Sequence, residues 1–345
     1  MDPKYKLSIL EEWPNDFQDL TIYDNLDGTF ELAGLSSNSL SYWKSPPNDP
    51  KVVAVGRYRQ DTLYISKHPD ALYLWAYNEK SGQIDSVNLN NNKAYQIALP
   101  ENFVLNHVTY YCSARLDKTI CVVQGTVSGW SKLYYNELGS EGNFMETWGN
   151  WDIHSVGKPV VVEADSTLWI YVTYSYQTDW QNLRYRWCWT AALDWGQWHQ
   201  MDHVGTDWHI NSIAGVNGRR TGAGHGVVVT NAEGAHLIRA DKGHDDWPVI
   251  TGKTIEDSFY RSPSTKAGGT TCGNVNGFVH LKNGQLSLIH SSIKEDSLYS
   301  DSLEEDVVAF SVSQLSEDDD KSTGFPIVFC RGSATYLARI VSNVE

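Results

Sequence analysis

The chain has 345 residues, with 27 lysines and arginines against 42 aspartates and glutamates, which gives a net charge of -15 at neutral pH. This acidic balance argues against nucleic acid as a partner, because nucleic-acid binding needs a basic face, and against anionic membrane surfaces. The 14 tryptophans and 19 tyrosines beside only 3 methionines favour β-structure with aromatic packing over a helical protein.

A hairpin signal recurs along the whole chain. Each copy is an apolar run, a polar turn and a second run that alternates with period two, which predicts two antiparallel strands. The seven predicted hairpins are Thr21–Tyr23 with Phe30–Ala33, Thr62–Ser66 with Leu72–Tyr77, Thr119–Val123 with Lys132–Tyr135, Leu168–Tyr174 with Leu183–Trp189, Gly226–Thr230 with His236–Arg239, Gly277–Leu281 with Gln285–Ile289, and Pro326–Cys330 with Thr335–Ile340.

Most hairpins follow another short run of small, apolar residues. We interpret these runs as innermost strands of propeller blades, because space is tight near a propeller axis. The runs are Val52–Gly56, Val108–Tyr111, Pro159–Glu163, Ser212–Val216, Thr265–Gly269 and Val307–Ser311. Outer strands containing tryptophan are expected at Trp148, Trp195–Trp198 and Trp247. Four strands per repeat predict an all-β fold, a single β-propeller domain over residues 1–345.

The predicted number of blades depends on how the strands at the two ends of the chain are assigned to blades. Counting hairpins gives seven blades, and counting clear innermost strands gives six. We favour seven four-stranded blades, in which Lys6–Leu10 supplies the outer strand that the C-terminal blade lacks and so removes an open sheet edge. Six blades with an extra N-terminal hairpin are the alternative.

The five cysteines are widely spaced and odd in number, which is not typical of a disulfide framework. Cys112 and Cys121 are close enough in sequence for neighbouring strands, where a bridge and a reduced pair both remain open. No apolar core of signal-peptide length lies near Met1, and no stretch has the length of a transmembrane helix. We expect a cytoplasmic protein, with a processed secreted form as the alternative.

One predicted blade has an outer strand that ends in tryptophan. The end of this blade consists of Leu183–Trp189, LRYRWCW, followed by Trp195–Trp198, WGQW. This pattern resembles the fungal fucose-specific lectins. The resemblance implies a propeller with sugar sites between blades, each combining an arginine, a glutamate and a stacking aromatic. The arginines of this chain do not recur at one blade position, so the repeated sugar constellation is missing or degenerate.

In size, fold and irregular blades, the chain also resembles the fungal propeller enzymes that catalyse hetero-Diels–Alder cycloadditions in tropolone-sesquiterpenoid pathways. No motif aligns residue by residue with those enzymes. No catalytic residue is therefore transferred from them.

Functional residues of a propeller concentrate where the loops entering the innermost strands and the loops joining the two middle strands surround the channel mouth. The predicted catalytic residues on this face are His209, Arg261 and His154. The predicted substrate-binding residues are His107, Trp151, Trp208, Tyr260, Trp180, Tyr176, Trp130 and His68. A turn, cap or blade-packing role is the alternative for each of them.

The sequence lacks a Gly-x-Ser-x-Gly elbow, a phosphate-binding glycine loop and a sialidase Asp box. No cofactor and no metal are expected, although three imidazoles brought together would form a metal site. Carboxylates at Asp152, Asp202, Asp207 and Glu256 leave glycoside cleavage open.

This inventory favours a cofactor-independent enzyme for an apolar, aromatic small molecule. The reaction we favour is a pericyclic one, a hetero-Diels–Alder cycloaddition, in fungal secondary-metabolite biosynthesis. A fucose-type lectin with glycan as its partner is the alternative, and a protein–protein scaffold is a third reading.

Overall fold

The computed structural model describes residues 5–25, 27–45, 49–68, 71–113, 118–139, 148–151, 153–164, 167–175, 181–189, 194–201, 210, 212–217, 225–231, 234–240, 249–251, 266–268, 275–292, 298–313 and 325–343. Strands, turns and bends make up these ranges, which contain no helix. Accordingly, none of the described residues belongs to a helix that could cross a membrane.

The strands of the first half are β1 (Tyr5–Trp13), β2 (Asp19–Asp24), β3 (Phe30–Ser36), β4 (Ser39–Ser45), β5 (Lys51–Val55), β6 (Tyr64–His68), β7 (Ala71–Asn78), β8 (Gln83–Asn88), β9 (Lys93–Ala98), β10 (Phe103–Ser113), β11 (Lys118–Val127), β12 (Trp130–Gly139), β13 (Gly149–Trp151) and β14 (Ser155–Ala164). Inner and middle strands of this half, such as β2, β3 and β11, are buried along most of their length, as expected for sheets packed between neighbours.

The second half continues the pattern. Its strands are β15 (Thr167–Ser175), β16 (Gln181–Trp189), β17 (His199–Gln200), β18 (Ser212–Asn217), β19 (His225–Asn231), β20 (Gly234–Ala240), β21 (Val249–Thr251), β22 (Lys266–Gly268), β23 (Val275–Lys282), β24 (Gln285–Ser292), β25 (Leu298–Glu304), β26 (Val307–Val312), β27 (Phe325–Arg331) and β28 (Ala334–Ser342).

These strands form seven sheets, which we call blades 1 to 7. Blades 1 to 5 are the antiparallel sets β2–β5, β6–β9, β10–β13, β14–β17 and β18–β21, and blade 7 is β26–β28 with β1. Each of these six blades contains four antiparallel strands, and the sheet of blade 5 has β22 as a fifth, parallel strand. Blade 6 is β23–β25, preceded by β22, which contacts β23 and pairs in parallel with β18.

The innermost strands form a closed ring. In chain order β2, β6, β10, β14, β18, β22 and β26 each contact the next, and β26 contacts β2. The predicted all-β propeller is confirmed. The ring contains seven innermost strands, and the six complete four-stranded blades match the six-blade alternative.

The ends of the chain close the last blade as predicted. Strand β1 pairs antiparallel with β28, from Tyr5 opposite Ser342 to Trp13 opposite Thr335. The run Lys6–Leu10 therefore is the outer strand of blade 7. Pairing of the two chain ends in one sheet removes an edge that another chain would otherwise extend.

One predicted innermost strand, Val52–Gly56, is wrong. Strand β5 contains all of this run except Gly56 and is the outermost strand of blade 1, where Val52 and Val55 are 60% and 80% exposed. The first hairpin supplies the innermost strand of blade 1, and Tyr64–His68 is innermost in blade 2. The valine-rich run has inner-strand composition, but its position after three paired strands makes it an edge. The other five predicted runs overlap innermost strands.

The core consists of apolar layers between blades. In the described part of the chain, six clusters of buried side chains each span two adjacent blades. Between blades 3 and 4, for example, Val122 packs with Val161 and Ile170. Burying one such side chain contributes roughly 1.5–3 kcal/mol. Because the apolar mass lies between blades, polar residues are left to occupy the interior of the ring.

Cys112 and Cys121 lie on neighbouring strands of blade 3, as their spacing allows. Their strand partners are Thr119 and Tyr110, so the two cysteines do not face each other. Both are buried and both are free thiols. The question left open by the sequence is thereby answered in favour of the reduced pair.

Candidate functional site

The innermost strands begin together at one end of the ring, which we call the top face. The backbone N–H of Asp61, just before β6, donates to Asp19 Oδ2 at the start of β2 (2.8 Å). At the opposite end, Ser113 of β10 donates to Glu163 of β14 (3.0 Å). The top face therefore carries the starts of the innermost strands, where the sequence predicts the site.

Five ionisable side chains meet inside the ring at the top face, and we call them the axial cluster. Asp19 starts β2, Arg59 and Asp61 precede β6, His107 lies in β10 and Lys158 lies in β14. Lys158 Nζ donates to the Asp61 carbonyl (3.3 Å). These residues come from blades 4 and 2, which are not neighbours, so this contact crosses the interior of the ring.

A β-bulge positions His107. Strand β10 pairs with β11 at Leu105 opposite Gly125 and again at His107 opposite Gln124, which leaves Asn106 as an extra residue. Arg59 donates to the carbonyl of Leu105 (2.9 Å) and to that of Asn106. The guanidinium thus binds the carbonyls that the bulge releases from the ladder. Bulges redirect side chains and are frequent beside active sites.

A larger bulge positions Lys158. Strand β14 pairs with β15 at Val156 and next at Val160, so the residues Gly157–Pro159 protrude from the ladder. Gly157 adopts φ +75°, the left-handed region that suits glycine. The Pro159 carbonyl accepts a hydrogen bond from Thr109 Oγ1 of blade 3 (2.6 Å). The protruding loop is therefore held in place by the neighbouring blade.

Asp61 adds backbone strain at the same place. Its φ is +61°, which is unusual for a residue other than glycine. The carboxylate of Asp19 accepts the Asp61 N–H and also the N–H of Leu20 (2.9 Å). Strained residues of this kind cluster at functional sites, where the surroundings hold them.

The axial cluster perturbs the protonation of its members. Burial, followed by the charge of Asp61, raises the pKa of Asp19 to about 7. Burial lowers the pKa of Lys158. Burial, together with the charges of Lys158 and Arg59, lowers the pKa of His107 to about 4. At neutral pH the cluster therefore contains a neutral imidazole and a carboxyl that is half protonated. Such shifts are typical of acid–base sites.

The structure brings only part of the predicted site together. His107 belongs to the axial cluster. His154 precedes β14 at the top face, with its ring centroid 6.1 Å from that of Trp130, which is 67% exposed at the first position of β12. These two residues line the top face near blades 3 and 4.

Two further predicted site residues lie elsewhere. Trp151 is only 5% exposed in the outer strand β13, with its ring centroid 4.3 Å from Tyr135, so it packs between blades 3 and 4 away from the ring interior. His68 ends the innermost strand β6 and therefore lies at the face opposite the site. This placement follows from the wrong inner-strand assignment of Val52–Gly56, which made the second hairpin a middle pair.

The remaining predicted residues lie outside the described part of the chain. They are His209, Arg261, Trp208, Tyr260, Trp180, Tyr176, Asp152, Asp202, Asp207 and Glu256. Among the described residues, no group of three or more histidines, cysteines and carboxylates is arranged to hold a metal ion.

Sequence reasoning missed Asp19, Arg59, Asp61 and Lys158. A usable signal was present at Lys158: a lysine between glycine and proline directly before the apolar run Val160–Val162. Glycine and proline inside a strand pattern indicate a bulge.

Blades 3 and 4 also share an aromatic cluster at their outer strands. Arg186 of β16 lies over the rings of Trp151 and Trp198, at 5.0 and 5.3 Å, and donates to the carbonyls of Trp195 (3.0 Å) and Gly196. This is the segment on which the lectin resemblance is strongest. Here the guanidinium is already engaged by the protein's own carbonyls.

Comparison with known proteins supports the β-propeller class. No protein-family model and no curated protein sequence matches the chain. A polysaccharide lyase, Uly1, superposes with a TM-score of 0.58 at 10% identity, covering 94% of this chain and 90% of its own. BBS1N, in complex with ARL6DN, gives 0.57 at 12% identity, covering 100% and 99%.

A puromycin-hydrolyzing peptidase from Mycobacterium tuberculosis gives a TM-score of 0.56 at 10% identity, covering 98% of this chain and 53% of the peptidase. The chain is thus similar to only about half of that protein. The protein is a β-propeller whose structural neighbours include a hydrolase, a lyase and a binding protein. A shared fold does not define function, so the site must carry the argument.

Proposed function

We propose that this protein is a cofactor-independent enzyme that acts on an aromatic, carbonyl-bearing small molecule at the axial cluster. The observation that carries the proposal is the convergence of proton donors and acceptors from four successive blades at one end of the ring. Asp19 and His107 are the principal catalytic groups, and Lys158 completes the polar wall opposite them.

The chemistry that these groups support is activation of a carbonyl. A protonated Asp19 or the Lys158 ammonium donates a hydrogen bond to the substrate oxygen, while neutral His107 accepts or relays a proton. Donors preorganised in a recessed site act more strongly than in water, and loss of one such donor costs about 2.7–4 kcal/mol of transition-state stabilisation. Trp130 and His154 provide ring surface at the rim of the top face for the apolar part of the substrate.

A hetero-Diels–Alder cycloaddition is the reaction we favour. Hydrogen bonding to a carbonyl makes the attached unsaturated system more electron-poor and more reactive. Holding two partners at reacting distance lowers the barrier by roughly 7–11 kcal/mol without any covalent catalysis. The resemblance to the fungal propeller cycloaddition enzymes supports the same reaction, and the absence of nucleophile and phosphate motifs in the sequence agrees with it.

Titration calorimetry with tropolone tests this proposal, because tropolone presents a carbonyl on an aromatic ring. We expect binding by the unmodified protein and at least a tenfold loss of affinity in Asp19→Asn and His107→Ala. His199→Ala is the matched control, since His199 lies exposed on the outer strand β17. Absence of binding, or equal affinity in all four proteins, would remove the proposal.

A fucose-binding lectin is the second candidate function. The observation that favours it is the arginine between two tryptophan rings at the junction of blades 3 and 4. A lectin of this design has several similar sites, so calorimetry with fucose would give a stoichiometry near the blade number. A glycan array without hits would rule out this candidate.

A further inference from the structure

We infer that the amine of Lys158 is a nucleophile that forms an imine with the carbonyl carbon of an aldehyde or ketone substrate. This inference rests on the proposed function, since it assigns a substrate class to the same axial cluster. It adds a covalent step that cycloaddition by positioning alone does not require.

The backbone geometry presents Lys158 for such a role. It is the central residue of the loop that β14 pushes out of its ladder, between Gly157 and Pro159. On a regular innermost strand, successive side chains point to opposite faces of the sheet and therefore toward the two neighbouring blades. The bulge removes this constraint, and the Thr109 bond to Pro159 fixes the loop. The side chain thereby reaches across the ring to blade 2.

The surroundings of the amine keep it available. Within the described residues, its one hydrogen bond is the 3.3 Å contact to the Asp61 carbonyl, and no carboxylate lies within ion-pair distance. By contrast, Lys118 forms an ion pair with Glu137 at 2.9 Å. Lys158 is partly exposed, so a small molecule in the ring reaches it.

The charged groups around Lys158 support the same conclusion. Burial lowers the pKa of Lys158, and Arg59 acts in the same direction, while Asp61 and Asp19 oppose them. A lowered pKa increases the fraction of neutral amine, which is the nucleophilic form. Among the described residues, His107 is the other titratable group that interacts with the charge of Lys158, and its pKa of about 4 leaves it neutral near pH 7.

The step balances without a cofactor. The nitrogen lone pair forms a bond to the carbonyl carbon, and the C=O electron pair moves onto oxygen, which takes the proton of Asp19. Nitrogen releases a proton to the Asp61 carboxylate, which gives a carbinolamine. The hydroxyl then takes the proton back from Asp61 and leaves as water, while nitrogen forms the C=N bond of a protonated imine. The Asp19 carboxylate takes the remaining proton from that nitrogen, which restores both carboxyl groups to their starting states. Amine and carbonyl become imine and water, with no oxidation or reduction.

Reductive trapping tests the inference. The full chain is incubated with salicylaldehyde and cyanoborohydride at pH 7, and labelled lysines are identified by peptide mass spectrometry. We expect Lys158 to be labelled at least tenfold faster than Lys51, an exposed lysine on the outer strand β5. Lys158→Met should abolish the fast label, and Lys51→Met should leave it unchanged.

Two further measurements do not depend on folding of the Lys158 variant. Tropolone should slow labelling of Lys158 in the unmodified protein but not labelling of Lys51. Asp19→Asn should slow imine formation at Lys158, since it removes the proton donor. Even labelling of surface lysines, or no label on Lys158, would overturn the inference. If tropolone binding nevertheless depends on Asp19 and His107, the proposed function stands while the imine step fails.

Discussion

Asp19 is held protonated, and His107 is held neutral, at pH values where the free side chains are charged. Burial keeps the Asp19 carboxyl protonated up to a pKa of about 7, against 3.8 for a free aspartate. Burial and two neighbouring cations keep the imidazole of His107 neutral down to about pH 4. Both groups therefore link the stability of the fold to pH, and they do so with opposite signs.

The first prediction concerns Asp19→Asn. Between about pH 4 and pH 7 the folded protein holds a proton on Asp19 that the unfolded chain has lost, so this residue makes stability fall as pH rises. Asparagine removes that dependence. We expect the free energy of unfolding of the variant, relative to wild type, to increase by about 1–4 kcal/mol from pH 4 to pH 8. Urea unfolding at each pH measures the difference.

His107→Gln provides the opposite control. Between about pH 4 and pH 6.5 the unfolded histidine binds a proton that the folded one does not, so His107 makes stability rise with pH. The free energy of unfolding of His107→Gln, relative to wild type, should therefore decrease as the pH rises from about 4 to 6.5. A difference from wild type that stays constant with pH in both variants would contradict the protonation states assigned to the axial cluster.

Single residues of the site were only partly predictable. His107 could be identified because it directly precedes the apolar run Val108–Tyr111, although the strand itself begins earlier, at Phe103. Asp19 and Asp61 were missed because a carboxylate at a strand start is usually a cap or turn residue, and only the ring closure brings blades 1, 2 and 4 together. Long-range contacts of this kind leave no trace in local sequence.

At the scale of elements, β1 carries the second prediction. Trp13 packs edge-on against Trp43 of blade 1, with ring centroids 5.5 Å apart, and is buried beside Leu337 of β28. Trp13→Ala should lower the free energy of unfolding by about 3–5 kcal/mol, because it removes a large side chain from a packed core.

Leu10→Ala is the matched control in the same strand. Leu10 lies at the bulge of β1 and is exposed, so its truncation should cost less than about 0.5 kcal/mol. Denaturant unfolding followed by far-ultraviolet circular dichroism measures both variants. Equal decreases in the free energy of unfolding would mean that the core-facing residues of β1 do not stabilise its packing in blade 7.

The third prediction tests the bulge of β14. Gly157→Ala places a side chain at φ +75°, which costs about 1–2 kcal/mol and favours a rearranged loop. Gly28→Ala has a similar cost at φ +85°, but Gly28 lies in a hairpin turn with open space around it. We expect the two variants to lose similar stability, while only Gly157→Ala slows labelling of Lys158 by salicylaldehyde. Similar labelling rates in both variants would show that the bulge does not determine the position of Lys158.

Element type was predictable from sequence, whereas element position within a blade was less so. Period-two hairpins identified the strands, since that alternation is local. The order of strands from the axis outward is set by which blade a run joins, and Val52–Gly56 shows that apolar composition alone does not give it. The outer strands β13 and β17 begin directly after Trp148 and Trp198, so the tryptophan pattern located these strands approximately but did not give their residues. Trp247 lies outside the described residues.

At the scale of the whole molecule, the repeated apolar packing between blades forms the scaffold, and side chains that differ from blade to blade form the site. Six apolar layers between blades repeat the same packing. Within the part of the chain that the structure describes, the axial cluster does not repeat. Asp19 comes from blade 1, Arg59 and Asp61 precede the first strand of blade 2, and His107 and Lys158 come from blades 3 and 4. A ring of similar blades with unlike side chains at its mouth has one site, where the strands converge.

This asymmetry gives the last prediction, on stoichiometry. Tropolone should saturate at one molecule per chain, because among the described residues the combination of Asp19, His107 and Lys158 occurs once. Sites between blades would be present several times and would raise the stoichiometry toward the blade number. Calorimetry at a protein concentration above the dissociation constant determines the value. A value well above one that Asp19→Asn leaves unchanged would place binding between the blades and contradict the axial site.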